Sequence, residues 1–201
     1  METTDNFAHK SKSWDMNSKR VKNAEAIAKG ILKNINMRAD MTLMDFGAGT
    51  GLLSYFIAPN VEKIVAVDNS PSMLEKFYEK QNEFDCDTEV IEADLSTEMI
   101  DKKFDGIISS MTIHHLSDLP ALFSKLYDML EVDGFISLAD LDSEDGTFHS
   151  DNTGVYHYGF DRENLQQIAT DIGFKNISFE TVSTIAKPHN DFTIFLMTAT
   201  K

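Results

Sequence analysis

Apolar residues recur along this chain with two different spacings, and the first is helical. From Ser18 onward they stand at Val21, Ala24, Ile27, Ala28, Ile31, Leu32 and Ile35. This spacing predicts an amphipathic helix. The preceding segment is polar apart from a few side chains such as Phe7 and Trp14, which indicates an arm that docks by aromatic anchors. We expect an arm and cap helix over residues 1–40 and the main body over 41–201, in one structural domain.

Beyond residue 41, short apolar runs alternate with helical segments. The predicted strands are Thr42–Phe46, Lys63–Val67, Glu89–Ala93, Phe104–Ser109 and Phe135–Asp140. The predicted helices begin near Leu52, Ser72, Leu119 and Asp161. Asp161 is expected to cap the last helix and Gly173 to end it. Apolar strands separated by helices indicate a parallel sheet that is covered on both faces.

The C-terminal segment has a different pattern. Two strand-like stretches, Ile177–Lys187 and Asp191–Thr200, are joined by only three residues, which predicts an antiparallel hairpin. The expected fold is therefore α/β, with a mostly parallel seven-stranded sheet, a C-terminal antiparallel hairpin and helices on both faces.

Composition and charge narrow the choice of partner. The chain has 201 residues, 42% of them hydrophobic, and a formal net charge of −15. So acidic a surface repels phosphate backbones and anionic lipid, so we expect neither nucleic acid nor membrane as a partner. The single cysteine, Cys86, excludes an internal disulfide framework and a multi-cysteine zinc site. A polar, acidic N-terminus is unlike a signal peptide, so a cytoplasmic enzyme or binding domain is expected. The sequence does not indicate an oligomeric state.

A glycine-rich loop, Asp45-Phe46-Gly47-Ala48-Gly49-Thr50-Gly51, follows the first predicted strand. Ligands of open parallel sheets bind at the carboxyl ends of the strands, and glycines let a ligand approach the backbone there. A dinucleotide fingerprint would need glycine where Leu52 stands, and no lysine follows the loop as it does in a P-loop. The loop therefore predicts neither a pyrophosphate nor a triphosphate site. A tight turn without a ligand is the alternative.

This loop resembles the first motif of the class I S-adenosylmethionine-dependent methyltransferases, an acidic residue followed closely by G-x-G-x-G. The resemblance extends from about Ser18 to the C-terminal hairpin. It implies a Rossmann-like methyltransferase fold and S-adenosylmethionine as cofactor. It also implies cofactor contacts from Asp45, near the cofactor's amino end, and from Gly47, Ala48, Gly49 and Gly51.

Acidic residues at the next two strand ends extend the resemblance. Asp68 matches the family's residue that holds the ribose hydroxyls, and Asn69 follows it. Met73 resembles the apolar residue that packs on the adenine. Asp94 resembles the acceptor for the adenine amine, with Leu95 as the backbone donor beside it. A helix-capping role for Asp68 and an exposed turn at Asp94 are the alternatives.

The fourth predicted strand resembles the one whose end faces the transferred methyl group, so Ser109 and Ser110 are further candidate cofactor contacts. Methyltransferases of nucleic-acid amino groups carry an Asn/Asp-Pro-Pro-aromatic tetrad there, which this chain lacks. Small molecules are therefore the expected acceptors, with protein side chains second. His114 and His115 follow directly, and a neutral imidazole near the methyl group can take a proton. Helix capping or lining of the site's mouth is the alternative for both.

The loop after the fifth strand mixes aromatic residues, histidines and acids, which predicts a pocket wall. His149 is a third catalytic candidate, and Phe148 and His157 are candidate substrate contacts. The two histidines could ligate a metal with Asp140 and Asp142, but no short-range spacing supports such a site, so no metal is expected. Packing of an ordinary surface loop is the alternative.

The N-terminal arm resembles the segment that covers the cleft in this family. With Phe7 and Trp14 as anchors, we expect a lid that closes on the bound cofactor, and a static arm is the alternative. The predicted function is methyl transfer to a small-molecule acceptor. The alternatives are a cofactor-binding module without transfer activity, a protein methyltransferase, and an NAD-dependent oxidoreductase that Leu52 disfavours.

Overall fold

A computed structural model of the chain describes Asp5, residues 13–188 and residues 190–201. The helices are α1 (Ser18–Asn34), α2 (Leu52–Ile57), α3 (Pro71–Lys80), α4 (Leu119–Met129) and α5 (Arg162–Ile172). The strands are β1 (Thr42–Phe46), β2 (Lys63–Asp68), β3 (Asp87–Glu92), β4 (Phe104–Ser110), β5 (Leu130–Leu141), β6 (Lys175–Ala186) and β7 (Asp191–Thr200). Each predicted helix and strand is present.

Local capping chemistry fixes several helix ends. The Asn17 side chain accepts hydrogen bonds from the backbone of the first turn of α1, and Ser70 does the same for α3, which has Pro71 as its first residue. Asp161 caps α5, and Gly173 ends it in the left-handed conformation with φ 117°. The predicted cap and stop of α5 are confirmed.

Two strand predictions need correction. β5 begins at Leu130 rather than Phe135, because Leu130 pairs with Phe104 of β4 before the register shifts. β3 was expected to be buried on both faces, yet it lies at the edge of the sheet, so its central residues are only half-buried. Smaller shifts of one or two residues affect the ends of β3 and β6.

The seven strands form one sheet in the order β3-β2-β1-β4-β5-β7-β6. All neighbours up to β5 pair in parallel, and β7 pairs antiparallel with both β5 and β6. The predicted α/β fold with a C-terminal hairpin is confirmed. Because the carboxyl ends of β1 to β5 meet at one edge, the segments that follow them converge on one cleft.

Apolar side chains pack on both faces of the sheet. α4 and α5 cover one face through residues such as Phe123 and Leu165, and α1, α2 and α3 cover the other through residues such as Ile31 and Phe77. The two layers hold the strand ends rigidly, as a binding site requires. Within the described ranges, no helix combines the length and apolar character needed to cross a bilayer.

Candidate active site

The glycine loop turns sharply between β1 and α2. Gly47, Gly49 and Gly51 have φ values of +69°, +55° and +83°, in the region that favours glycine. A Cβ on Gly47 would lie 2.2 Å from the Thr112 side chain, and one on Gly51 would lie 2.7 Å from Phe77. A Cβ on Gly49 would have no atom of the described residues within 4 Å. The loop is thus packed at both ends and open in the middle.

Asp68 ties this loop to the end of β2. Its Oδ2 accepts a hydrogen bond of 2.8 Å from the Gly49 N–H, and its Oδ1 accepts one of 2.8 Å from the Ser70 N–H. Burial raises the pKa of Asp68 above its usual value, against the lowering effect of these hydrogen bonds. Each carboxylate oxygen has a second lone pair, so the group can still accept hydroxyl donors from a ligand.

Asp45 lies beneath the loop rather than at its surface. It is 1% exposed, and its Oδ2 accepts a hydrogen bond of 2.6 Å from Ser54 Oγ. Burial raises the pKa of Asp45 to about 7, and the nearby charge of Asp68 adds to the rise. Its predicted role near the amino end of the cofactor stays a prediction, and its buried position restricts it to an indirect one.

The other predicted cofactor contacts surround the same cleft with different exposures. Met73 and Leu95 are buried, at 3% and 2% exposure, while Asp94 Oδ1 accepts a hydrogen bond from the Ser96 N–H. Ser109 Oγ donates a hydrogen bond of 2.7 Å to the Phe46 carbonyl, so its hydroxyl joins β4 to β1. The remaining members of this set, Ala48, Asn69 and Ser110, lie at the ends of β1, β2 and β4.

The three catalytic candidates form one cluster. His114 and His115 end a short 3₁₀ turn after β4, and His149 comes from the loop after β5. The ring centroids of His114 and His115 are 4.2 Å apart, those of His114 and His149 are 4.9 Å apart, and those of His115 and His149 are 6.2 Å apart. The fold therefore brings together residues that are more than thirty positions apart in sequence.

Asp140 is the partner that orients His114. His114 Nδ1 lies 2.8 Å and 3.0 Å from the two carboxylate oxygens, and Asp140 also accepts the Leu141 N–H at 2.8 Å. Both side chains are buried, at 1% and 0% exposure. A carboxylate can only accept, so Nδ1 carries a proton, and in the neutral imidazole Nε2 is then the nitrogen with the lone pair. His114 Nε2 is buried and has no hydrogen-bond partner among the described residues.

His149 completes the cluster as a neutral imidazole. Burial is the main cause that lowers the pKa of His149 to about 4, and the nearby charges of His114, His115 and Lys187 contribute to this lowering. Its Nε2 is also buried without a hydrogen-bond partner within the described part of the chain. Two buried nitrogens without partners in one cluster point to a polar ligand that supplies them.

The other residues predicted on this loop have packing contacts. His157 Nε2 lies 2.9 Å from the Leu116 carbonyl oxygen, and its ring packs against Phe160. Phe148 contacts both His149 and Phe192 edge to face. Over the described ranges, no three His, Cys, Asp or Glu side chains are grouped as metal ligands.

Comparisons with known proteins agree with this geometry. A sequence profile described as a methyltransferase domain matches residues 43–134. An uncharacterised methyltransferase of Schizosaccharomyces pombe is 30% identical over 176 residues, which cover 78% of this chain and 60% of that protein. Phosphoethanolamine N-methyltransferase 1 of Arabidopsis thaliana is 27% identical over 158 residues, which cover 76% of this chain and 32% of that protein.

A solved structure extends the match to the whole fold. Phosphoethanolamine N-methyltransferase 2 of Haemonchus contortus, in complex with S-adenosylmethionine, has a TM-score of 0.73 at 17% identity, over 100% of this chain and 60% of that one. These matches support the class I S-adenosylmethionine-dependent methyltransferase family. The resemblance carried by the glycine loop is confirmed, and with it the Rossmann-like fold and the cofactor. The chain spans less than two thirds of the length of each of these relatives.

The residues of this methyltransferase fit S-adenosylmethionine. The open side of Gly49 leaves room for a ligand against the backbone, where a side chain would otherwise project. The Asp68 carboxylate is fixed beside it and keeps acceptor capacity for a ribose diol. The space above the glycine loop and the end of β2 is therefore the candidate cleft for the cofactor.

The N-terminal arm of the methyltransferase contacts this same loop. Asp15 accepts a hydrogen bond of 2.5 Å from Thr50 Oγ1, and it also pairs with Lys80 of α3. Asp5 accepts hydrogen bonds from the Ser70 hydroxyl and the Ser72 N–H. Trp14 stacks under the Arg20 guanidinium, and Phe7, the other predicted anchor, lies outside the described residues.

Sequence reasoning considered Asp140 only as a conceivable metal ligand and missed its contact with His114. Its position directly after a run of apolar and small residues, 134–139, was the available signal, because a buried carboxylate needs a partner. Asp15 was missed as well. No sequence pattern links it to Thr50.

Proposed function

We propose that this methyltransferase moves a methyl group from S-adenosylmethionine to a nitrogen or oxygen atom of a small-molecule acceptor, and that His114 removes the acceptor's proton. The observation that carries the proposal is the buried His114–Asp140 pair, in which Nε2 of His114 has no hydrogen-bond partner among the described residues. A base in this position is useful when the nucleophile arrives protonated, as an ammonium or a hydroxyl does.

The residues of the site have separate tasks in this proposal. Asp68 and the loop around Gly49 hold the cofactor, and Asp140 keeps the proton of His114 on Nδ1. When bound, S-adenosylmethionine supplies a methyl carbon on a sulfonium sulfur, which keeps the bonding electron pair as the acceptor's lone pair forms the new bond. His114 Nε2 then holds the proton that the acceptor loses. His114 is 1% exposed and its Nε2 is buried, which keeps bulk water from that atom.

Phosphoethanolamine is the first acceptor to assay, because several relatives that match this chain are named as phosphoethanolamine N-methyltransferases. Small amines and alcohols without the phosphate complete the panel. The cytoplasmic location and the absence of a nucleic-acid partner that the sequence suggested stay predictions.

The test compares the pH dependence of methyl transfer in wild type, His114→Asn and Asp140→Asn. We expect His114→Asn to lower kcat by about 10²–10⁴-fold near neutral pH, the range for loss of a general base. Asp140→Asn should give a smaller loss, because Nε2 survives but its tautomer is no longer fixed. S-adenosylhomocysteine affinity, measured by calorimetry, is the control and should be unchanged. A wild-type rate and pH profile in His114→Asn would overturn the role of the base.

A further inference from the structure

Lys187 lies beside the histidine cluster, on the turn between β6 and β7. Its Nζ is 4.1 Å from the centroid of the Phe148 ring and 5.7 Å from that of Phe192. Phe148 packs edge to face on His149, with ring centroids 4.8 Å apart, and His149 packs on His114. The side chains of Phe148 and His149 therefore lie between the Lys187 ammonium and His114, the proposed base.

Lys187 forms no ion pair with any residue that the structure describes. Within the described part of the chain, its ammonium makes neither an ion pair nor a hydrogen bond, and burial lowers its pKa. Glu144 is close enough for its charge to act on Lys187, but its Oε2 is occupied by the backbone N–H groups of Thr147 and Phe148. This carboxylate holds the backbone of the loop that carries Phe148 and does not form an ion pair with Lys187.

A second positive charge lies nearby. Lys19, in the first turn of α1, is close enough to lower the pKa of Lys187 by repulsion. Elsewhere in this acidic chain, lysines such as Lys33 and Lys80 pair directly with carboxylates. Glu144 acts on Lys187 more strongly than Lys19 does, so the group that can take an anion here is the Lys187 ammonium itself.

Lys187 lies near His114, the proposed base, so it bears on which acceptor the site can bind. The inference rests on the proposed methyl transfer and specifies the chemical class of the acceptor. We propose that Lys187 binds an anionic group of the acceptor, a phosphate or a carboxylate, while the acceptor's nucleophilic atom lies at His114. The rings of Phe148 and His149 lie between the two positions, with successive spacings of 4.1, 4.8 and 4.9 Å from Lys187 Nζ to the His114 ring. The acceptor that fits is an amine or alcohol with an anionic end. His149, uncharged near neutral pH, supplies a polar contact between them.

Calorimetry on the full chain saturated with S-adenosylhomocysteine tests this without turnover. The probes are three small amines: phosphoethanolamine, β-alanine and ethanolamine, which carry a phosphate, a carboxylate and no anion. We expect one of the two anionic amines to bind at least about tenfold more tightly than ethanolamine, and Lys187→Gln to abolish that difference. Which of the two binds identifies the anion. Lys175→Gln, a change to an exposed lysine at the other end of β6, is the matched control and should bind like wild type.

The outcomes separate this inference from the proposed function. Binding that depends on Lys187 supports the anion site even where no methyl transfer follows. The anion site is overturned if the anionic amines bind no better than ethanolamine, or if Lys187→Gln binds them as wild type does. Methylation of phosphoethanolamine with an unchanged KM in Lys187→Gln would likewise overturn it and leave the methyl transfer intact.

Discussion

Asp68 accepts a 2.8 Å hydrogen bond from the Gly49 N–H, so one carboxylate holds the glycine loop at the place where a ligand would meet it. The interaction joins the ends of β1 and β2 across the cleft. Asp68 thus has one function in the loop, and we predict a second one toward the cofactor.

Replacing Asp68 tests the second function. We expect Asp68→Ala to weaken S-adenosylmethionine binding by about 1.5–3 kcal/mol, the range for hydrogen bonds to a charged group. Titration calorimetry measures this directly. Asp87→Ala, a change to an exposed aspartate at the opposite end of the adjacent strand β3, is the control. Unchanged affinity in a folded Asp68→Ala protein would remove Asp68 from the cofactor site.

The glycines of the loop should respond differently to substitution. Gly49→Val places its side chain in open space, so we expect the fold to survive with modest backbone strain and cofactor binding to be lost. Gly51→Ala brings a Cβ against Phe77, so we expect it to lower the melting temperature. Thermal melts with and without S-adenosylhomocysteine separate the two effects. A Gly49→Val protein that is stabilised by ligand as wild type is would show that the open side of Gly49 faces no ligand.

Asp45 should make stability depend on pH in the apo protein. Burial raises the pKa of Asp45 from 3.8 to about 7. Between these two pH values the folded chain therefore keeps a proton that the unfolded chain has released. The Asp45 contribution is therefore greatest in acid and falls as pH rises. Relative to Asp45→Asn, the free energy of unfolding of wild type should fall by about 2–3 kcal/mol between about pH 5 and about pH 8. Urea titrations measure both proteins, and a difference that is constant with pH contradicts the buried, protonated carboxyl.

The arm offers an optical signal, because Trp14 is the only tryptophan in the chain. Its neighbour Asp15 accepts a hydrogen bond from Thr50 in the glycine loop. A ligand bound at the loop should therefore change the environment of the arm. We predict that S-adenosylhomocysteine changes Trp14 fluorescence and protects the arm from proteolysis, and that Thr50→Val reduces the protection. If ligand binds and neither signal moves, the arm is static and Trp14 has only a packing role.

Local chemistry made some of the structure predictable from sequence. Asp161 and Gly173 fixed the ends of α5, because capping and left-handed glycine depend on a few neighbouring residues. The start of β5 was missed because Val132 and Asp133 are exposed, and only pairing with β4 makes that segment a strand.

The residues of the candidate site likewise fall into two groups, those that lie in a local sequence pattern and those that meet only in the folded chain. The glycine loop and Asp68 could be found because each sits in a pattern next to a strand end. The contact between His114 and Asp140 depends on two neighbouring strands and on side-chain orientation, which no spacing in the sequence records. Lys187 lies farther still along the chain from Phe148, in a hairpin that folds back over the loop.

Methyl transfer itself is the most direct test. Wild-type protein is incubated with S-adenosylmethionine labelled in the methyl group and with the panel of small amines and alcohols, and the products are followed by mass spectrometry. The account predicts that one acceptor gains the labelled methyl group while an equal amount of S-adenosylhomocysteine forms. Tight cofactor binding with no labelled small molecule, across the panel, would contradict it and favour a cofactor-binding module or a protein substrate.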